Sequence, residues 1–191
     1  MLTQLATLKS RLNLTTNDND ALLTLVLEAV SARFDLACHR TLARTVNATY
    51  EFSADLLDLR PPCYPLETVL RFDLKASETE GWVQPSGIRF LLRRNCVITL
   101  PEALGDASQL GRVTYTGGYV LPGAAVESGQ TPLPPALELA ALDQAAFWFQ
   151  RRDQLGVIRQ WPKGGAYEQI DTLDLLPSVA AALQSFERFI C

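Results

Sequence analysis

Pro134–Gly156 reads PPALELAALDQAAFWFQRRDQLG, and its pattern decides how the rest of the chain is arranged. Two prolines open it, where a missing N–H costs nothing, and Gly156 stands at its end. Glu138 falls in the first turn and Arg151 and Arg152 in the last, so each charge complements the helix dipole. About twenty residues at 1.5 Å each make a rod of roughly 30 Å, enough to cross a small domain. Its apolar residues form several rows at helical spacing. Leu137, Ala141, Ala145 and Trp148 make one; Leu139, Leu142, Ala146 and Phe149 make a second; Ala140 and Phe147 make a third. A helix apolar over most of its girth is buried on most sides, so this one is expected to be the central helix.

Upstream of it the chain begins with helical signals. Leu5, Leu8 and Leu12 recur at three and four within Leu2–Leu14. The polar break Thr15–Asp20 is expected to supply capping side chains for a second helix, Asp18–Arg40. There Leu22, Val26, Val30, Phe34 and Ala37 are expected to form the buried face, thickened by Leu23 and Leu27. From Thr45 the period shortens. Val46–Phe52, Leu66–Ala76, Ile88–Leu100 and Gly111–Val120 are short runs rich in β-branched and aromatic residues, separated by turn residues. Ile88–Leu100 reads as two strands joined at Arg93–Arg94–Asn95, and Gly117–Gly118 as a tight turn that needs φ > 0. After the long helix, Val157–Leu176 is mostly irregular, with a Pro-Lys-Gly-Gly turn suited to a hairpin tip, and a short helix starts at Pro177. The expected fold class is α+β: a mainly helical bundle of about four helices with an inserted small antiparallel β unit. Residues 1–44 and 134–191 would form the bundle and 45–120 the β-rich insertion, within a single domain.

Composition narrows the function. The chain has 191 residues, 48% hydrophobic and 20% charged, with a formal net charge of −4. That balance argues against wrapping nucleic-acid phosphates, which needs a basic face. No apolar run has the length of a membrane span, and no basic segment followed by an apolar block marks a secretory signal. Folding in a cytosol is expected. The four cysteines, Cys38, Cys63, Cys96 and Cys191, are widely spaced without a CxxC pair and read as free thiols.

Catalytic patterns are sparse. His39 is the single histidine, at a helix end. No Gly-x-Ser-x-Gly elbow or phosphate-binding lysine loop is present. The carboxylate pairs Asp55/Asp58, Glu78/Glu80 and Asp171/Asp174 sit in turns and read as solvated faces. No catalytic residue, metal ligand or cofactor is assigned. The residues that stand out suit contact with another macromolecule instead. Arg93–Arg94 and Arg151–Arg152 are basic pairs at element ends, and Trp161 and Lys163 lie on the long loop, where exposed aromatics and cations serve interfaces.

The distribution of these segments resembles a known family. LKSRLNL, a polar break and LLTLVLEAVSARFDLACHRTL look like the opening helices of phage head–tail connector (head completion, adaptor) proteins, with Arg40 or Arg44 near the end of the second helix. RVTYTGGYVLPG followed by PLPPALELAALDQAAFWFQRRDQLG is similar to that family's passage into its long helix, ended by Arg151 or Arg152. LLPSVAAALQSFERF looks like its closing helix. The resemblance implies a non-enzymatic protein of the virion neck, assembled in the host cytoplasm. It implies self-association into a ring, commonly dodecameric, with the portal protein and a tail or stopper protein as partners. DNA would pass through the ring without sequence-specific binding, and an acidic lumen suits that passage. The alternative is a tail completion factor or another neck interaction protein.

Overall fold

A computed structural model of the chain describes residues 1–152, 159–160, 168–169 and 174–188. The chain divides into two compact units, Met1–Cys38 with Pro134–Glu187, and His39–Leu133 with Arg188–Cys191.

The first unit is helical. It contains α1 (Leu5–Arg11), α2 (Asp20–Ala37), α3 (Pro135–Gln150) and α4 (Pro177–Gln184). The α3 helix packs against each of the other three. It turns Leu137, Ala140, Ala141, Gln144, Ala145, Ala146 and Phe149 inward. Four alanines in that set let neighbouring backbones approach closely, which is why so short a helix can hold three neighbours. From α2 come Leu23, Leu27, Val30 and Phe34, all buried. Leu22 is exposed, so the buried face of α2 is rotated from the one the spacing suggested. The polar break before α2 gives no side-chain cap; Lys9 Nζ ties it down instead, at 2.7 Å from both Asn17 and Asp20.

Gln144 is the polar centre of this core, with no exposed surface. Its Nε2 donates to the Asp174 carbonyl at 3.1 Å and its Oε1 accepts the Leu176 N–H at 2.9 Å. Trp148 Nε1 donates to the same carbonyl at 3.2 Å. The Arg33 Nε bonds the Asp174 carboxylate at 2.6 Å and holds it below the usual carboxylate range. These bonds clamp the chain just ahead of Pro177, whose ring suits the first helical position.

The second unit is built of strands: β1 (Thr45–Ser53), β2 (Asp58–Leu59), β3 (Leu66–Lys75), β4 (Leu91–Arg93), β5 (Val97–Thr99), β6 (Leu110–Gly117), β7 (Tyr119–Val120) and β8 (Thr131–Pro132). One antiparallel sheet has the order β1-β6-β3 and another the order β2-β5-β4; β7 and β8 pair in parallel. Phe52, Leu59, Cys63, Leu66, Phe72, Ile98, Leu100, Val113 and Tyr115 form its core. The Tyr115 hydroxyl accepts the Cys63 N–H at 3.2 Å, and burial pushes its phenol up to about 12. A Cβ on Gly117 would stand 2.6 Å from the Cys63 carbonyl oxygen, and one on Gly118 (φ +100°) 2.6 Å from that of Ala43. Both positions therefore require glycine, one for close approach and one for its φ as well.

Two further strands, β9 (Arg159–Gln160) and β10 (Glu168–Gln169), pair antiparallel.

The expectation of a mainly helical bundle is wrong. The described residues hold four helices and three small antiparallel sheets, with strand nearly as extensive as helix. The physical reason is that the strands bury their side chains in a core of their own. Helix α1 has only 7 residues and α4 only 8, which limits the helical share. The long helix is also shorter than its sequence pattern, ending at Gln150.

Candidate partner interface

The sharpest surface feature of the strand unit is the β4–β5 hairpin. Its turn runs Arg93–Arg94–Asn95–Cys96, closed by the Cys96 N–H to the Arg93 carbonyl at 3.1 Å. Arg94 (φ +50°) and Asn95 (φ +52°) both lie in the left-handed region. That geometry matches the right-handed twist of paired strands, and it comes easily to Asn and at a cost to Arg. The Asn95 carbonyl accepts the Leu66 N–H at 2.6 Å, so the turn is anchored to the start of β3. Arg93 and Arg94 are exposed, and neither has an ion-pair partner among the described residues.

Arg151 and Arg152 stand at the end of α3 in the helical unit. The Arg151 guanidinium lies 4.7 Å over the Phe147 ring and that of Arg152 4.2 Å over the Phe149 ring. Arg152 Nη1 also donates to the Phe149 carbonyl at 2.9 Å, satisfying one of the carbonyls a helix end leaves open. This second basic pair thus closes its own helix. Trp161 and Lys163 lie outside the described residues. The structure brings Arg93 and Arg94 together on one turn and gives the α3 pair local partners.

Arg44, Arg112 and Arg40 are structural. Arg44 forms a bidentate pair with Glu67 at 2.8 and 2.9 Å. Arg112 grips the buried Asp73 at 2.9 Å beneath the Trp82 ring. Arg40, buried, lies 3.3 Å over the Tyr64 ring and donates to the Tyr64 carbonyl. His39 is an exposed residue at φ +51°, just past α2. Shallow clefts of about 200 and 310 Å³ flank residues 69–72 and 84–90 and residues 87–89 and 101–104. Neither is lined by His39 or by more than one carboxylate. Among the described residues no group of three or more His, Cys, Asp or Glu is placed to hold a metal. No helix among them is long and apolar enough to cross a membrane.

One surface is not legible from periodicity. On α2, Leu22, Leu25, Ala29, Ala32 and Leu36 are exposed, and they recur at three, four, three and four. Leu25 is 61% exposed and Leu36 69%. That heptad spacing was present in the sequence, but it competes with the stripe that the fold buries.

Comparison with solved structures covers the whole chain. One match, over 100% of this chain and 91% of the other, is to the neck of an empty GTA particle computed with C6 symmetry, with a TM-score of 0.61 and 17% identity. This chain shares its fold with a chain of that neck. A second match, over the same shares of each chain, is to the virion of a native gene transfer agent (GTA) particle, with a TM-score of 0.55 and 20% identity. No protein-family model matches the sequence, and no curated protein matches it. At these identities the likeness is one of fold, carried by the order of elements and their packing and not by shared side chains.

Proposed function

We propose that the chain is a structural protein of a phage-like virion neck: a head–tail connector, or adaptor. Copies of it assemble into a ring beneath the portal protein, extend the DNA channel and present a surface to a tail or stopper protein. The observation that carries this reading is the end-to-end likeness to a chain of a GTA neck, spanning all of this chain. The sequence resemblance to adaptor proteins points the same way through different residues, those of the first two helices, the Tyr115–Tyr119 turn and the closing helix. A twelve-membered ring contains six-fold symmetry, so a dodecamer fits a neck computed with C6 symmetry. The role is non-enzymatic, and the net charge of −4 suits a passage that DNA traverses without being held. Arg93 and Arg94 are the first candidates for partner contact, because they are exposed and unpaired among the described residues.

The test is to mix the chain with purified portal and examine the product by negative-stain electron microscopy. An added ring coaxial with the portal is the expected result. A portal that emerges unchanged, while the chain binds an isolated tail component, refutes the adaptor role.

A further inference from the structure

A closed ring of identical subunits requires two different surfaces on each copy, one of which receives the other. Resting on the neck reading, we infer that these surfaces are the exposed stripe of α2 and the outer face of the β4–β5 hairpin of a second copy of this chain.

The stripe is apolar over its whole length. Leu22, Leu25, Ala29, Ala32 and Leu36 lie along a stretch whose ends are roughly 21 Å apart at 1.5 Å per residue. Three leucines in line on one solvent face form a continuous patch, which scattered surface residues do not. Ala29 and Ala32 at its middle are small and exposed, which leaves room for a bulky side chain from a partner. Its border is acidic. Glu28 is exposed and has no ion pair among the described residues, while Arg33, the cation beside the stripe, is engaged by Asp174. Two such helices laid antiparallel would bring Glu28 toward its own copy, so the stripe is poorly suited to pairing with itself.

The hairpin offers the complement. Along β4, Leu92 pairs with the buried Ile98 and faces the core, so its neighbours Leu91 and Arg93 face outward. Leu91 is 60% exposed and Arg93 shares its face of β4, with Arg94 at the turn and the exposed Arg89 two residues ahead of the strand. Strand β4 is roughly 10 Å long at about 3.3 Å per residue, so with its turn it covers about half of the stripe. It therefore presents one apolar anchor bracketed by cations to a receiving surface that is apolar and bordered by a carboxylate. Arginine is enriched at specific interfaces, and Leu91 adds apolar area that contact would remove from water. The left-handed Arg94 fits the same account: a charged side chain stands where glycine would be the easier choice.

The test uses two double variants of the full chain, each altered only at exposed positions. Leu25→Glu with Leu36→Glu blocks the stripe, and Arg93→Glu with Arg94→Glu blocks the hairpin. Circular dichroism of each variant should match the wild type. By sedimentation velocity, alone and on purified portal, each should associate at least about tenfold more weakly than wild type. A 1:1 mixture of the two variants retains one intact stripe and one intact hairpin, so it should form a heterodimer and stop there. If the variants assemble as well as wild type, or if the mixture forms no dimer, the pairing is refuted. Wild-type rings on the portal would in that case leave the neck reading standing. As a second measurement, a benzophenone side chain at position 25 of the wild-type ring should crosslink to the 89–94 peptide of another copy. Crosslinks elsewhere, or none, also refute the pairing. A wild-type chain that neither self-associates nor joins a portal refutes both readings.

Discussion

Replacing Gln144 with methionine isolates the polar clamp in the helical core. Met has a similar length and flexibility, so it fills the same space without creating a cavity. It removes both amide bonds, the 3.1 Å donation to the Asp174 carbonyl and the 2.9 Å acceptance from Leu176 N–H. The two losses are unequal. The Asp174 carbonyl keeps the Trp148 Nε1 at 3.2 Å, so dropping the Gln144 bond costs about 1 kcal/mol. The Leu176 N–H keeps no partner, and a half-buried orphaned donor costs about 1–3 kcal/mol. Burying a thioether where an amide stood offsets some of this, leaving a net loss of about 2 kcal/mol. For a chain of this length that is a fall in Tm of about 4–8 °C. Because the clamp sits ahead of α4, hydrogen exchange of the amides at 178–184 should accelerate by up to about thirtyfold. A Gln144→Met chain that melts within a degree of wild type, with unchanged exchange in α4, would refute the role given to this side chain.

Three further outcomes follow from the strand unit. Arg94→Gly relieves a left-handed residue and should raise stability by about 1 kcal/mol in urea titrations, because only side chains with a Cβ are penalised there; a loss of stability would contradict the turn geometry. Gly118→Ala, at φ +100° and 2.6 Å from the Ala43 carbonyl oxygen, should destabilise by about 1–3 kcal/mol or abolish soluble expression, and a neutral result would contradict the corner. Tyr115→Phe leaves the Cys63 N–H without its acceptor and should cost about 1–3 kcal/mol. With the Tyr115 phenol raised to about 12, its contribution is fully present below the ordinary tyrosine range near 10 and is lost as pH climbs toward the folded value. Wild type should therefore lose stability above pH about 10 more steeply than Tyr115→Phe, and parallel pH profiles would count against the burial of this ring.

Much of the helical unit is legible in the sequence. The long helix opens at its prolines and is apolar nearly all round, and α3 does sit against three other helices. Its end is not legible: the pattern continues to Gly156, while the helix stops at Gln150. In α2 the failure concerns which face is buried. Apolar residues occupy two stripes, and periodicity cannot choose between Leu22 with Leu25 and Leu23 with Leu27; packing against α3 chooses the latter. The strand unit shows the other limit. The hairpin at Arg93–Asn95 and the glycine corner at 117–118 are local and can be read directly. The sheet order is not, because β6, which begins at Leu110, inserts between β1, which ends at Ser53, and β3, which ends at Lys75, and no nearby turn sets its register. That same non-local pairing gives the strands an independent core, which is why a mainly helical bundle was the wrong expectation. Of the candidate interface, Arg93 and Arg94 were visible as charges on a turn. The α2 stripe is not legible, because α2 carries two apolar rows and only packing decides which of them is buried.

The central claim is that this chain closes into a ring in the neck. A cryo-electron microscopy reconstruction of the chain bound to its portal, refined without imposed symmetry, tests it most directly. The account predicts a complete cyclic ring of this chain coaxial with the portal, with the α2 stripe of each copy covered by its neighbour. Single copies on the portal rim, or a ring in which that stripe stays exposed to solvent, would contradict it.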